Sequence, residues 1–186
     1  MAALARIIEH HSWWSHKPQT GPTPRPLSVR ISRPDEEEKI FRVLMQMAEE
    51  IALAPVNETK VRAMIRRCSG PAAGEVRDGV IGLIDAPGGK IAATVGMIHN
   101  QWWYTNSWHV EEVWSFVHPD HRPDHRREEN GPNYARALIQ FSRWWGEQLG
   151  CPVLMGVMST ERTLGKIRLY AREIPLVGAL FLHRGA

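Results

Sequence analysis

The sequence predicts an α/β domain with a mixed, mostly antiparallel sheet that has one central parallel strand pair and helices on both faces. Three consecutive segments support this prediction. Residues 110–117 alternate between apolar and polar side chains and stop at a proline, as a β-strand does. Residues 133–149 space their apolar side chains helically and end at Gly150, and the apolar run 151–158 follows directly. A strand, a helix and a strand in such close succession predict a parallel crossover.

The composition is that of an ordinary globular protein. The 186 residues fit one domain with a sizeable core, and 43% hydrophobic with 23% charged residues are typical values. The formal net charge of +3 is too small to indicate nucleic-acid binding by itself. Cys68 and Cys151 both lie in apolar surroundings, so we expect reduced thiols in a cytoplasmic protein. No apolar run reaches the roughly 18 residues that a membrane-spanning helix needs.

Before the crossover, the sequence predicts a strand, two helices and a β-hairpin. Residues 27–32 alternate and form the first strand. The next helix starts with a capping box at Asp35 and Glu38, and Asn57 caps the helix after it. Two apolar runs, residues 80–86 and 91–99, flank a Pro-Gly-Gly turn and form the hairpin.

After the crossover, the sequence predicts one more helix and one more strand. Ser159 or Thr160 caps the helix, and Pro175 ends it. Residues 179–183 form the closing strand, so that the element order is β-α-α-β-β-β-α-β-α-β. Residues 1–27 remain outside this domain as an N-terminal arm with a proline-rich tether, and residues 28–186 form the domain itself.

Three motifs resemble those of the GNAT family of acyl-CoA-dependent N-acyltransferases, especially compact members from phages and prophages. They are the strand end FVHPDHR (116–122), the helix opening NYARALI (133–139) and the late RLY (168–170). The resemblance covers about residues 28–184. It implies transfer of an acetyl or short acyl group from acetyl-CoA to a primary amine. A direct ternary-complex reaction is favoured, because no cysteine lies where the resemblance would place a nucleophile.

The segment between strand and helix departs from the family's Arg/Gln-x-x-Gly-x-Gly/Ala pattern. Here the corresponding residues are Asn130-x-x-Asn133-x-Ala135, and the preceding Pro-Asp-His-Arg is immediately repeated. Because asparagine tolerates left-handed backbone geometry better than most residues, we expect Asn133 to replace the glycine.

Phosphates of coenzyme A are expected at the start of this helix, where free amides and the positive end of the dipole attract anions. Amides of residues 131–136 would hold the pyrophosphate, with charge from Arg122, Arg126, Arg127 or Arg136; alternatively, the arginines form a solvated charged loop. The resemblance implies that pantetheine pairs with the backbone edge of residues 114–117. The predicted CoA-binding residues are Phe116, Val117, Arg122, Arg127, Asn133, Tyr134, Ala135, Arg136 and Ala137.

Acyl transfer to an amine needs a base for the amine and a proton for the leaving thiolate. Glu111 and Glu112 are adjacent on the central strand, so they point to opposite faces and at most one faces the cleft. Simple alternation groups Glu111 with Val113, Ser115 and Val117, and Glu112 with Trp114 and Phe116. The resemblance places Glu111 nearer the family's strand glutamate, but both remain candidates. It also assigns to Tyr170 the phenol that protonates the thiolate.

Other interpretations of the sequence remain open at this stage. The protein can be directed to nucleic acid through the tryptophans and the basic residues of the arm region, Arg6, Lys17, Arg25, Arg30 and Arg33, or it can be a non-catalytic scaffold. The histidines at 118, 121 and 125 are spaced for a helical metal site, but prolines argue against a helix there, so no metal is predicted. The acceptor is open between a protein amine, a small polyamine or antibiotic, and a nucleobase amine. The hydrophobic arm makes a homodimer plausible.

Overall fold

The computed structural model describes residues 22–26, 28–69, 79–122, 133–157 and 163–175. In these residues one five-stranded sheet has the order β1-β2-β3-β4-β5. All neighbouring strands are antiparallel except β4 and β5, which are parallel, and this confirms the predicted fold class. The strands are β1 (Arg30–Ile31), β2 (Gly79–Ala86), β3 (Lys90–Gln101), β4 (Trp108–Val117) and β5 (Val153–Leu154).

Four α-helices cover the two faces of this sheet. They are α1 (Glu37–Ile51), α2 (Glu58–Ser69), α3 (Tyr134–Leu149) and α4 (Thr163–Glu173). Apolar side chains of α1 and α2, such as Ile40 and Ile65, pack with Leu83 on one face. Side chains of α3, such as Leu138 and Phe141, pack on the other face, and α4 lies against α3. Each face of the sheet is therefore closed by the apolar stripe of an amphipathic helix.

The helix ends agree only partly with the sequence prediction. Asn57 caps α2, with its Oδ1 accepting from the Lys60 amide at 3.1 Å, and Gly150 ends α3 with a φ of 63°. Before α1, however, the carboxylate that accepts a backbone N–H belongs to Glu36, which bonds the Arg33 amide at 2.8 Å. The predicted capping box at Asp35 and Glu38 is therefore wrong, because the buried Glu36 provides the capping carboxylate instead. The predicted cap at 159 or 160 and the strand at 179–183 lie outside the described residues.

Basic residues near the start of the chain are engaged within the fold. Arg30 donates to Asp85 at 2.5 Å and to Glu36 at 2.8 Å, so it joins β1 to β2 and to the turn before α1. The Arg25 guanidinium lies 5.2 Å from the centre of a tryptophan ring of α3. These contacts occupy two of the side chains considered for nucleic acid, while Arg6 and Lys17 lie outside the described residues.

A β-bulge interrupts the pairing of β3 with β4. Glu112 is opposite Met97 and Trp114 is opposite Gly96, so Val113 is an extra residue without a partner position. A bulge shifts the alternation of side chains by one residue, because two residues of one strand oppose one residue of the other. Compared with the residues before Val113, the residues after it therefore face the side of the sheet opposite to the one that simple alternation predicts.

The two parallel strands separate soon after they meet. β4 pairs with β5 only at Val110–Val153 and Glu111–Leu154. Within the described part of the chain, the edge of β4 from Glu112 to Val117 has no strand on the β5 side. The strands thus leave an open backbone edge directly beyond the bulge.

The position of β5 depends on a close approach to α3 at Gly146. A Cβ atom at Gly146 would lie 2.2 Å from Val153 Cγ2 and 3.0 Å from the carbonyl oxygen of Cys151. We expect Gly146→Val to lower the free energy of unfolding by about 3 kcal/mol, because neither neighbour can move away freely. Urea unfolding measures this, with Gly156→Val as the matched control, since nothing lies within 4 Å of a Cβ there. Equal losses for both variants would contradict the packing argument.

Candidate active site

A glutamate, a tyrosine and a serine meet between β4 and α4. The hydroxyl of Tyr170 donates to Glu112 Oε2 at 3.0 Å and lies 3.3 Å from Oε1. Ser115 on β4 also acts on the phenol and lowers its pKa. The bulge brings Glu112 and Ser115 to the same face of β4, although they are three residues apart. The structure therefore brings together two of the predicted catalytic residues and adds Ser115, which the sequence analysis had not singled out.

The two glutamates point to opposite faces of β4, as predicted, but the residues predicted to share a face with each of them are wrong. Glu112 is opposite Met97, which packs on the α3 side, whereas Glu111 is opposite Ile98, which packs with α1 and α2. Glu111 consequently shares its face with Trp114 and Phe116, and Glu112 with Ser115 and Val117. Simple alternation failed because it does not count the extra residue of the bulge.

Burial controls the protonation of this pair. It raises the pKa of Glu112 to about 8, and the Tyr170 hydrogen bond and the charge of Lys166 offset only part of that rise. Burial also raises the pKa of the Tyr170 phenol, and the negative charge of Glu112 raises it further, while Ser115 opposes the rise. The site thus holds a carboxyl group that titrates near neutral pH beside a phenol that keeps its proton.

Glu111 lies in a different environment from Glu112. Its side chain is 40% exposed, and its Oε2 accepts from Asn100 Nδ2 at 3.4 Å and lies 3.8 Å from His109 Nε2. The buried His109 ring stacks on Trp102, with 4.1 Å between ring centres. Glu111 therefore belongs to a polar and aromatic cluster at the start of β4, on the face opposite Tyr170.

The predicted CoA-binding residues at the end of β4 make internal contacts. Phe116 is buried against α1 and α2, and Val117 packs on the α3 side. Arg122 Nε donates to the Val117 carbonyl at 2.8 Å, and its Nη2 donates to Glu50 Oε2 at 2.5 Å. Arg122 thereby ties the end of β4 to the end of α1.

The start of α3 follows a different backbone from the one expected. Asn133 has φ −83° and ψ 83°, so the predicted left-handed conformation is wrong. The residue instead caps the helix, with its Oδ1 accepting from the Arg136 amide at 2.9 Å. Asparagine is a favoured N-cap because its side chain satisfies an amide that lacks a helical partner. The remaining predicted residues of the helix start, Tyr134, Ala135 and Ala137, lie in the first turn, and Arg127 lies outside the described residues.

A pocket of about 340 Å³ opens between the start of α3 and the end of α4. Its lining includes two arginines, Arg136 and Arg172, and the buried Glu173, whose Oε1 accepts from Arg136 Nε at 2.6 Å. Arg172 was not singled out by the sequence analysis. Arg172 follows Leu169, another lining residue, by three positions, and this helical spacing places the two residues on the same face of α4.

No metal centre or membrane span is found in the described part of the chain. It holds no group of three or more histidine, cysteine or acidic side chains arranged for a metal ion. His118 instead accepts from the Asp120 amide at 3.3 Å, in a short turn that starts at Pro119. None of the described helices is long and apolar enough to cross a membrane.

Several solved structures similar to this chain are described as acetyltransferases, and one of them as a GNAT family acetyltransferase. One is a ribosomal-protein-alanine N-acetyltransferase from Brucella melitensis biovar Abortus 2308, with 13% identity, TM-score 0.59, and coverage of 85% of this chain and 98% of that one. Another is an aminoglycoside acetyltransferase from an uncultured soil metagenomic sample, with 14% identity, TM-score 0.57, and coverage of 85% and 97%. A third is an integron cassette protein from the mobile metagenome of Cole Harbour Salt Marsh, with 15% identity, TM-score 0.58, and coverage of 90% and 95%.

These similarities establish the fold. The chain has the GNAT fold, in which β4 and β5 form a parallel pair within an otherwise antiparallel sheet and helices lie on both sides of the sheet. No protein-family model and no curated protein matches the sequence. The resemblance to phage-type members stays a prediction from the motifs alone. The fold alone does not define a reaction, which depends on the side chains at the site.

Proposed function

We propose that the protein transfers an acetyl or short acyl group from acyl-CoA to a primary amine in a direct ternary complex. The observation that carries this proposal is the pair of Glu112 and Tyr170, joined at 3.0 Å beside the edge of β4 that has no partner strand among the described residues. The pair supplies a base and an acid at one place, which is what amide formation from a thioester requires. The solved structures that share this fold include acetyltransferases for a protein and for aminoglycosides, so both acceptor classes are consistent with the fold.

The described residues fit an acyl-CoA molecule in three respects. The edge of β4 from Glu112 to Val117, which pairs with no strand on the β5 side in the described part of the chain, offers backbone groups to the amides of pantetheine. The start of α3, a helix of 16 residues, offers amides to the pyrophosphate. Arg136 and Arg172 in the adjacent pocket offer positive charge to the phosphates. When bound, acyl-CoA supplies an activated acyl carbon and a thiolate leaving group.

In the proposed reaction, Glu112 removes a proton from the acceptor amine and Tyr170 protonates the leaving thiolate. Glu112 acts as a base only when it is ionised, and its raised pKa of about 8 makes it a stronger base than an ordinary carboxylate. The neutral phenol of Tyr170 holds the proton that the thiolate needs. Glu111 lies on the opposite face, so the geometry favours Glu112 as the base.

The buried Cys68 favours direct transfer over an acyl-enzyme on its own thiol. Cys68 is buried against the other face of the sheet, and burial raises the pKa of its thiol to about 12. Cys151 lies before β5, where its Sγ contacts His99 Nε2 at 3.4 Å. Because a thiol with such a high pKa is a poor nucleophile at neutral pH, Cys68 is unsuited to form an acyl-enzyme.

Calorimetric titration with acetyl-CoA tests the first step of the proposal. We expect binding by the wild-type protein and about 10- to 100-fold weaker binding by Arg136→Glu and by Arg172→Glu, because each loses a charge-assisted contact to phosphate. Lys39→Glu makes the same charge change at an exposed position of α1 and serves as the control. Lack of binding by the wild-type protein would refute the proposal, and equal weakening by Lys39→Glu would refute the assignment of the pocket.

The remaining predictions from the sequence extend this proposal. A cytoplasmic location and a homodimer formed through the arm stay predictions. The acceptor amine is to be identified by screening protein amines, polyamines and aminoglycosides once acetyl-CoA binding has been measured.

A further inference from the structure

Resting on the proposed function, we infer that Glu173 holds Arg136 in the unliganded protein and binds Arg143 instead when a phosphate of acyl-CoA takes Arg136. Glu173 thus acts as an internal anion that the cofactor must displace. The residue lines the pocket between α3 and α4, yet it carries the same sign of charge as the proposed ligand. The proposed function explains the two arginines of this pocket but not its carboxylate.

The contact between Glu173 and Arg136 uses part of the guanidinium that a phosphate needs. Glu173 Oε1 accepts from Arg136 Nε at 2.6 Å, while the Arg136 side chain is 52% exposed and the Glu173 side chain only 3%. A guanidinium binds a phosphate most strongly through two parallel N–H groups, and one edge that offers such a pair includes Nε. The carboxylate and a phosphate on this edge therefore compete for the same donor.

The second oxygen of Glu173 lacks a hydrogen bond in this arrangement. Glu173 Oε2 is buried and accepts no hydrogen bond from the described residues. A buried carboxylate oxygen in this state is costly, because it has lost water without gaining a partner. Glu173 can therefore gain a hydrogen bond by changing its position.

Arg143 lies where it can receive the carboxylate. Its Nη1 is 3.9 Å from Glu173 Oε2, about 1 Å beyond hydrogen-bond length, and its side chain is 11% exposed. Arg136 and Arg143 are seven residues apart on α3, so they lie on the same face of that helix. A small rotation of the Glu173 side chain thus exchanges one arginine for the other while α4 stays packed on α3.

The exchange lowers the apparent affinity of the pocket for the cofactor. While Glu173 binds Arg136, part of the positive charge of the pocket is neutralised, and only molecules in which Glu173 has left Arg136 are competent to bind phosphate there. Once Glu173 binds Arg143, both Arg136 and Arg172 are available to the phosphates. The contact is therefore a built-in competitor of acyl-CoA.

Calorimetric titration with acetyl-CoA tests this inference through the direction of one effect. We expect Glu173→Gln, which keeps the shape of the side chain and removes its charge, to bind acetyl-CoA about 5- to 20-fold more tightly than the wild-type protein. Glu49→Gln makes the same charge change on the exposed surface of α1 and should leave the affinity unchanged. Equal or weaker binding by Glu173→Gln would overturn the inference, because losing a glutamate that only orients Arg136 weakens binding.

A double-mutant cycle tests the exchange with Arg143. Arg143→Gln alone should weaken acetyl-CoA binding about threefold or more, because the displaced carboxylate has lost its second partner. In the Glu173→Gln background the same change should lose most of its effect. The charge of Arg143 also acts on Glu147, and any contribution through that residue is present in both backgrounds and cancels in the cycle. Losses of equal size in both backgrounds would overturn the exchange.

Nitrogen-15 NMR of the arginine side chains gives a reading that needs no variant of Glu173. The Arg136 Nε–H, assigned through Arg136→Lys, should be protected from exchange with water in the unliganded protein, and its resonance should shift when acetyl-CoA binds. An unchanged resonance in a protein that binds acetyl-CoA would overturn the inference and leave the proposed function standing. Lack of acetyl-CoA binding by the wild-type protein would instead refute the proposed function, and with it the inference that rests on it.

Discussion

Replacing Tyr170 with phenylalanine is expected to lower kcat for amine acylation by about 100- to 10,000-fold, the usual contribution of a general acid. Phenylalanine keeps the ring between α4 and β4 but removes the hydroxyl that donates to Glu112 at 3.0 Å. The thiolate then has to leave without a positioned proton. KM for acyl-CoA should change little, because the phosphates are expected at the start of α3 rather than at Tyr170.

Steady-state kinetics with a saturating amine measure this effect. Tyr104→Phe is the matched control, since it removes a phenolic hydroxyl from a side chain that is 66% exposed before β4. The control should retain wild-type kcat. A Tyr170→Phe enzyme with wild-type kcat would show that the thiolate leaves without this phenol and would remove Tyr170 from the mechanism.

Replacing Glu112 with glutamine is expected to lower kcat by a similar factor of about 100 to 10,000 and to stabilise the protein at high pH. The pKa of Glu112 rises from its ordinary 4.5 to about 8 on folding, so the folded state holds a proton between these values that the unfolded state has lost. The stability of the wild-type protein therefore falls as pH rises from 4.5 to 8, by roughly 4 kcal/mol if the other groups are unchanged. Glutamine cannot ionise and avoids this loss.

Chemical unfolding at pH 5 and at pH 9 measures the stability effect. The difference in free energy of unfolding between Glu112→Gln and wild type should grow in favour of the variant between these two pH values. Glu49→Gln changes the same charge on the exposed surface of α1 and should show no such growth. The wild-type kcat/KM should rise with pH through about 8, as the base ionises. A difference in stability that is the same at both pH values would mean that Glu112 is not held in its neutral form.

The sequence by itself determined the element order and the type of most elements. The alternation in residues 110–117, the helical spacing before Gly150 and the glycine-containing turn before Lys90 all correspond to observed elements. Such features are local, because periodicity and end signals act over a few neighbouring residues. The resemblance of the late Arg-Leu-Tyr motif to the GNAT family, rather than any local physical signal, indicated Tyr170 as a catalytic candidate.

Only the tertiary structure decided which glutamate meets Tyr170. The bulge at Val113 depends on the register between β3 and β4, which simple alternation does not reveal, and it changes which residues share a face with Glu111 and with Glu112. The contact of Arg122 with Glu50 and the position of Arg172 likewise depend on where the elements lie. Side-chain direction in a sheet has a period of two, so one extra residue exchanges the faces of every later position. The local sequence determined the strand, and the pairing of that strand with its neighbour determined the candidate site.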